Sequence, residues 1–406
     1  MDTPSPHHDA NSPPGRLVVL GSGPQAQWEH AMRGLAAGGP LLLVDRQPAT
    51  WQRPHLVGAR VANLLNPAQV IDAVRKFAIA HPIAGVVNFH PAYTPAALLI
   101  RRELGLPGAD HDASEICTLR HRTAELLALA GVDHSAARHA ATYGQALEAA
   151  HHAGFPLVCK PASPRKRHAA RVVSALPELA EAFATATAAT WPGTGTLIEP
   201  FLHGIEASAY TYSTSAGTRL IAVSHATFDP QAEPSLVPIE VVVDADDVCS
   251  AAIEDIACRA LVAIGHRHGP AQLRLRITAT GPQIISISTH LTDPLLGLLI
   301  EQTTGVDLIA ASGAYARGHM PHLQHAPLGA SAVRYLQAPG PVTHAAPPGA
   351  HANITPFTHL DQYDTAQQVG PVRRTGHLLV TGADFPQCVT RLASAVAQLR
   401  GTRLSA

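Results

Sequence analysis

Two short strands meet at Thr280-Gly281 within GPAQLRLRITATGPQIISISTHLTDP, Gly269 to Pro294, and the alternation on both sides of that turn constrains the chain more than any other stretch. Leu273, Leu275 and Ile277 recur at every second position of the first strand, and Ile285 and Ile287 do so on the second. That is the period of an antiparallel hairpin with one buried face. The opposite face then carries Arg274 and Arg276 from the first strand and Ser286 and Ser288 from the second, with His290 just beyond. Charged and hydroxyl side chains in a row do not make a core. The hairpin is therefore read as one wall of a cleft.

Upstream, strands alternate with helices. RLVVLGSG runs into a helical pattern from Gln25 to Ala37, LLLVD ends at Asp45, a helix spans Pro67 to His81 and AGVVNF ends at Phe89. Such alternation predicts a parallel, doubly wound, Rossmann-like sheet. Gly21-Ser22-Gly23 and Asp45 have the placing of a phosphate cradle and a ribose acceptor, but the third glycine of that fingerprint is missing. A structural tight turn is the favoured reading. Tyr143 to Pro200 reads helix, strand, loop, strand, helix, strand. Further on, a helix from Asp246 to Arg267 carries Ile253, Ile256, Ala260, Leu261 and Ile264 as one stripe.

At 406 residues the chain exceeds a single typical core. Its formal charge of -1 supplies no field to hold nucleic acid or an acidic membrane, so neither is expected as a partner. Five cysteines, odd in number, far apart and never in a CxxC pair, point to reduced thiols in a cytoplasm. Cys159 is read as a small core residue rather than a nucleophile. No apolar run approaches the ~20 residues that span a bilayer. Met1 to Gly15 is rich in Pro, Ser, His and Asp and is expected to be a disordered tail.

The hairpin, LGLPG at Leu104 to Gly108, GFPLVCKPA at Gly154 to Ala162, LIEPFLHGIEASAYTYS at Leu197 to Ser213 and the closing GHLLVTGADFPQCVTRLASAVAQL resemble the ATP-grasp carboxylate-amine ligases, L-amino-acid ligases among them. The likeness runs from Arg16 to Leu399. It implies an α/β and α+β chain of ATP-grasp fold, with a Rossmann-like preATP-grasp domain at 16–110, a linker helix and small subdomain at 111–200, and a large subdomain with a C-terminal lobe at 201–406. Homodimers are common in that family. Its members activate a carboxylate with ATP as an acyl phosphate, which an amine then displaces.

The resemblance also assigns roles. Arg120 stands where a lysine contacts the α-phosphate, Lys160 matches the second ATP lysine, Glu199 with Pro200 stands at the adenine hinge, and Glu206 matches the acid of a Gly-x-Glu. The glycine- and serine-rich loop that closes over the phosphates is replaced by Ser163-Pro164-Arg165-Lys166-Arg167-His168, in which Arg165 and Arg167 are the candidate anion contacts. The magnesium ligands of the family, two glutamates and an asparagine, align with Arg274, Ser286 and Ser288, and its arginine with His290. ATP thus remains a candidate ligand, whereas the magnesium site is expected to be gone. Asp293 is the nearest carboxylate that could restore it.

Three readings follow. In the first, the chain is a degenerate ATP-grasp protein that binds a small carboxylate or amino acid, or a partner protein, in an amino-acid-derived biosynthetic pathway. The second re-uses the cleft for metal-independent catalysis, with His290 as acid, Arg274 as anion clamp and Ser286 and Ser288 as polar contacts. The third is an active ligase with unusual ion ligands.

Overall fold

A computed structural model of the chain describes residues 15–108, 110–132, 137–163, 169–228, 238–321, 323–337, 352–356 and 374–404. It opens with β1 (Arg16–Leu20), α1 (Gln25–Ala36), β2 (Leu41–Asp45), β3 (Leu56–Val61), α2 (Pro67–Ala78), β4 (Ile83–Asn88) and α3 (Thr94–Leu104). The four strands form a parallel sheet in the order β3-β2-β1-β4. Helices cover both faces, which is why β1 and β2 are unbroken apolar runs, buried from Leu17 to Leu20 and from Leu41 to Val44. α2 starts at Pro67 because the Asn66 side chain accepts hydrogen bonds from the N–H groups of Ala68 and Gln69. β3 was not foreseen. As an edge strand it leaves Val57 and Val61 exposed, so its sequence lacks a buried period.

Next come α4 (His111–Cys117) and α5 (Arg120–Leu129), followed by β5 (Arg138–Ala140), α6 (Tyr143–Ala153), β6 (Leu157–Pro161), β7 (Arg171–Val173), α7 (Leu179–Ala189) and β8 (Thr196–Pro200). These strands make a small antiparallel sheet, β5-β8-β6-β7. It encloses its own core of Ala146, Ala150, Leu157, Cys159, Val173, Leu179 and Ile198. Burial pushes the Cys159 thiol up to about 12, which keeps it protonated and inert.

The rest of the chain builds an eight-stranded antiparallel sheet. Its elements are β9 (Ile205–Thr214), β10 (Gly217–Phe228), β11 (Pro238–Asp244), α8 (Ser250–Ala263), β12 (Gly269–Thr278), β13 (Gly281–Ser288), α9 (Pro294–Thr304), α10 (Leu308–Ala316), β14 (Ala330–Gln337), β15 (Ala352–Pro356), β16 (Arg374–Gly382) and α11 (Phe385–Leu404). The strand order is β13-β12-β9-β10-β11-β14-β16-β15. α8 is shorter than its apolar stripe suggested: Asp247 folds the preceding residues into a turn by accepting the Cys249 N–H, and Gly265 at φ 75° ends it.

α1, α9 and α10 lie between the parallel and the eight-stranded sheets. Trp28, Met32 and Leu35 of α1, Leu295, Leu299 and Ile300 of α9 and Ile309 of α10 share one core with Leu17 and Leu43 on one side and Tyr210, Tyr212 and Val243 on the other. Burying each such side chain contributes roughly 1.5–3 kcal/mol, enough in sum to fix the layers against one another. Gly85 allows the closest approach: a β-carbon there would lie 1.9 Å from the Ala316 carbonyl oxygen, so only glycine lets α10 rest on β4. Among the described residues no single helix is long and apolar enough to cross a membrane; α9 and α10 are apolar because both are core helices, bent by 115° at their junction.

Candidate functional site

β12 and β13 pair with Gln272 opposite Ser288, Leu273 opposite Ile287 and Arg274 opposite Ser286. The register then slips, so that Leu275 faces Ile284 and Ile285 is bulged out. This corrects the reading of β13. The buried pair is Ile284 and Ile287, not Ile285 and Ile287, because two adjacent isoleucines let a one-residue bulge reset the alternation. The cleft face expected of Arg274, Ser286 and Ser288 is present, and it extends to Gln272.

The two arginines of β12 are tied to a carboxylate. Glu206 lies opposite Arg276 on the neighbouring β9, 4% exposed, and accepts hydrogen bonds from both guanidinium groups: Arg274 on Oε1, with its Nε at 3.1 Å, and Arg276 on Oε2 at 3.2 Å. Burial lowers the Arg276 pKa, and Glu206 opposes that shift. Glu206, a candidate cofactor contact from the sequence, holds two cations here. Arg274, the candidate anion clamp, already commits Nε and Nη2 to Glu206, and Arg276 commits Nη2.

A second pair closes the small sheet. Lys160 on β6 and Glu199 on β8 are diagonal neighbours across the strands, and Nζ donates to Oε1 at 2.5 Å and to the Ile285 carbonyl at 3.4 Å. The β13 bulge is what turns that carbonyl to the lysine. Burial lowers the Lys160 pKa, with Glu199 acting against it. Arg120, at the first turn of α5, donates from Nη1 to the Pro161 carbonyl at 2.6 Å. Burial pushes its pKa down to about 10, Glu199 raises it and Arg274 lowers it, so the two guanidinium groups feel one another. Arg122, by contrast, is exposed and reaches only Glu125 at 3.9 Å.

Between these elements lies a cavity of about 60 Å³. Its polar lining includes Arg120, Glu199, Gln272, Arg274, Ser286 and Ser288, and its apolar lining includes Ala124, Leu127, Leu197, Ile284 and Ile287. Gln272 and Thr292 were not foreseen. The Gln272 side chain accepts from the Thr292 N–H and hydroxyl at 3.0 and 2.6 Å, and the two-residue period back from Arg274 was the signal that could have found it.

Other expected residues lie elsewhere. His290 does not line the cavity; it meets the Asn88 side chain, 3.5 Å away at the end of β4. Asp293 caps α9 by accepting the Leu295 N–H at 2.9 Å and receives the Tyr335 hydroxyl at 3.2 Å, so its carboxylate serves the fold. Asp45 binds the backbone N–H and hydroxyl of Ser22 at 3.0 and 2.5 Å, which closes the Gly-Ser-Gly turn on its own side chains. Arg165 and Arg167 lie outside the described residues.

No family model matches the chain. An uncharacterized protein of Sinorhizobium fredii, y4rH, is 27% identical over 233 residues, which is 56% of this chain and 47% of that protein. The chain thus matches about half the length of that curated relative. Solved structures match almost end to end. An L-amino acid ligase from Bacillus licheniformis superposes with a TM-score of 0.75 at 16% identity, over 95% of this chain and 98% of that one. N5-carboxyaminoimidazole synthase from Aspergillus clavatus, solved with ADP and 5-aminoimidazole ribonucleotide, gives 0.73 at 14% identity, over 95% and 99%. The chain has the ATP-grasp fold. A third ATP-grasp neighbour, the biotin carboxylase domain of the Hydrogenobacter thermophilus 2-oxoglutarate carboxylase, was solved as a dimer with MgADP, ADP and bicarbonate; it gives 0.75 at 13% identity, over 95% of this chain and 90% of that one. Against the ATP-grasp pattern set out above, the hairpin here offers Arg274, Ser286 and Ser288, beside a Glu206 already shared by two guanidinium groups. Among the described residues no three His, Cys, Asp or Glu side chains converge on a point where an ion could be held.

Proposed function

We propose that this chain is a non-canonical ATP-grasp protein that keeps the cleft of a carboxylate-amine ligase without its magnesium-dependent ATP chemistry. It acts as an auxiliary protein in the assembly of amino-acid-derived small molecules. The observation that carries the reading is Glu206 held between Arg274 and Arg276, beside the positions that align with the magnesium ligands of the ATP-grasp ligases. Magnesium takes oxygen ligands, chiefly carboxylates and water, and the residues present do not fit it. A dication brought near the Arg274 guanidinium meets repulsion of roughly 4 kcal/mol per unit of its charge at 4 Å and intermediate dielectric. Glu206 cannot relieve this, because it already balances one cation and faces two.

The geometry favours this reading over metal-independent catalysis by His290, which reaches Asn88 and not the cavity. ADP release tests it. Purified protein is supplied with ATP, magnesium and a panel of amino acids and small carboxylates. The proposal expects no ADP above background with any pair; amine-dependent ADP release would identify a working ligase and contradict it.

A further inference from the structure

A joint ties α5 to the small sheet, and two imidazole rings sit in it. The Arg120 N–H donates to the Ala162 carbonyl at 2.9 Å, and Arg120 Nη1 to the Pro161 carbonyl at 2.6 Å, so the end of β6 rests on the first turn of α5. The Ala162 N–H donates in turn to the Gly195 carbonyl at 3.2 Å, which brings the turn before β8 alongside. His121, next after Arg120, packs its ring against that of His139 on β5, with centroids 4.7 Å apart and planes tilted by 43°. One ring thus belongs to α5 and the other to the sheet.

The two rings are held differently. His139 is exposed, and its Nε2 donates to the Thr194 carbonyl at 2.8 Å. His121 is partly buried, and its Nδ1 is shut away from solvent with no hydrogen-bond partner. A neutral ring leaves only a bare lone pair there, whereas a proton on that nitrogen makes a buried, charged N–H with nothing to receive it. Burial accordingly lowers the His121 pKa; His139 lowers it further, Glu125 opposes the shift and Arg122 adds to it.

Little around the pair offsets added positive charge. Glu125 and Arg122, on α5, are exposed and 3.9 Å from each other. Arg120 is turned to Pro161, β5 adds the exposed Arg138, and Lys160 and Glu199 neutralise one another. Among the described residues, the turn before β8 and the end of β6 contribute only the uncharged Ser163, Thr190, Trp191 and Thr194.

From this geometry we infer that the joint is a pH-sensitive hinge: protonation of His121 and His139 together releases α5 from the small sheet. The cavity is lined by Arg120 from α5 and by Leu197 and Glu199 from β8, so release moves one of its walls against the other. Two imidazolium rings in contact repel, and parting them lets the His121 nitrogen reach water. The docked joint therefore takes up protons less readily than the parted one. Docking is complete above about pH 6.5 and weakens as the pH falls below that value. The inference concerns how the cavity wall moves and not what the cavity holds, so it stands apart from the function proposed above.

Hydrogen exchange of the full chain at about pH 7.5 and about pH 5.5 tests it, each rate being divided by the intrinsic rate of an unstructured chain at that pH. The Arg120 amide, bonded to Ala162, reports the joint, and the amides of β1, inside the parallel sheet, report the fold as a whole. Acidification is expected to cut the protection of Arg120 by about tenfold more than that of β1. His121→Phe keeps a ring in place and takes up no proton, so the excess loss is expected to vanish. His139→Gln keeps a donor for the Thr194 carbonyl but removes the second charge, so the excess should shrink. Circular dichroism establishes that each variant is folded; if His121→Phe is not, His139→Gln decides. Equal losses at Arg120 and β1 in the parent overturn the inference, as does an excess loss that either folded variant retains in full.

Discussion

The ammonium of Lys160 sits 2.5 Å from the Glu199 carboxylate, both side chains largely withdrawn from solvent, at the point where the small sheet meets the β12–β13 hairpin. Each neutralises a charge that would be costly to bury alone.

Glu199→Gln leaves the lysine without its countercharge. It is expected to lower stability by about 3 kcal/mol, measured by urea denaturation, because removing one partner of a buried pair strands the other. Lys160→Met combined with Glu199→Leu should recover much of that loss. A single variant as stable as the parent would show that the pair contributes little.

Acid should weaken the fold in a defined window. Burial, helped by the nearby His30, pushes the His377 pKa down from 6.5 to about 4, and burial also lowers His30 and His266. These folded-state values lie below the unfolded ones, so the unfolded chain binds more protons as pH falls below 6.5. The histidine contribution to stability is then lost between about pH 6.5 and 4; His377 alone accounts for roughly 3 kcal/mol of the fall. Denaturation midpoints across that range should flatten in His377→Gln, and a parent whose stability is constant over the window would contradict the assignment.

Asp293→Ala removes the cap of α9 and the acceptor for Tyr335. A loss of about 1–2 kcal/mol is expected, with no change in the affinity of any cavity ligand or ion. A selective loss of ion binding in the folded variant would return Asp293 to the role of metal ligand.

Much of this was legible in the chain because it is local. The parallel sheet follows from buried runs such as LVVL and LLLV between helical patterns, and the hairpin from alternation about Thr280-Gly281. What could not be read is set by register across strands distant in sequence. Glu206 and Arg274 are 68 residues apart, and Lys160 and Glu199 are 39 apart. Their pairing turns candidate ligand contacts into ion pairs within the fold. The β13 bulge was hidden for a different reason: Ile285 and Ile287 keep a two-residue period by themselves, whereas the buried pair Ile284 and Ile287 is three residues apart and needs a one-residue bulge that only the tertiary setting imposes. Gln272 was within reach, since the same period that selected Arg274 and Arg276 leads back to it.

The central claim is that this ATP-grasp cleft lacks a working magnesium site, and calorimetry of ATP and ADP binding with and without magnesium tests it most directly. The account predicts that magnesium adds no affinity for either nucleotide. Micromolar binding that appears only with magnesium would contradict it and restore the chain to the ligases its fold resembles.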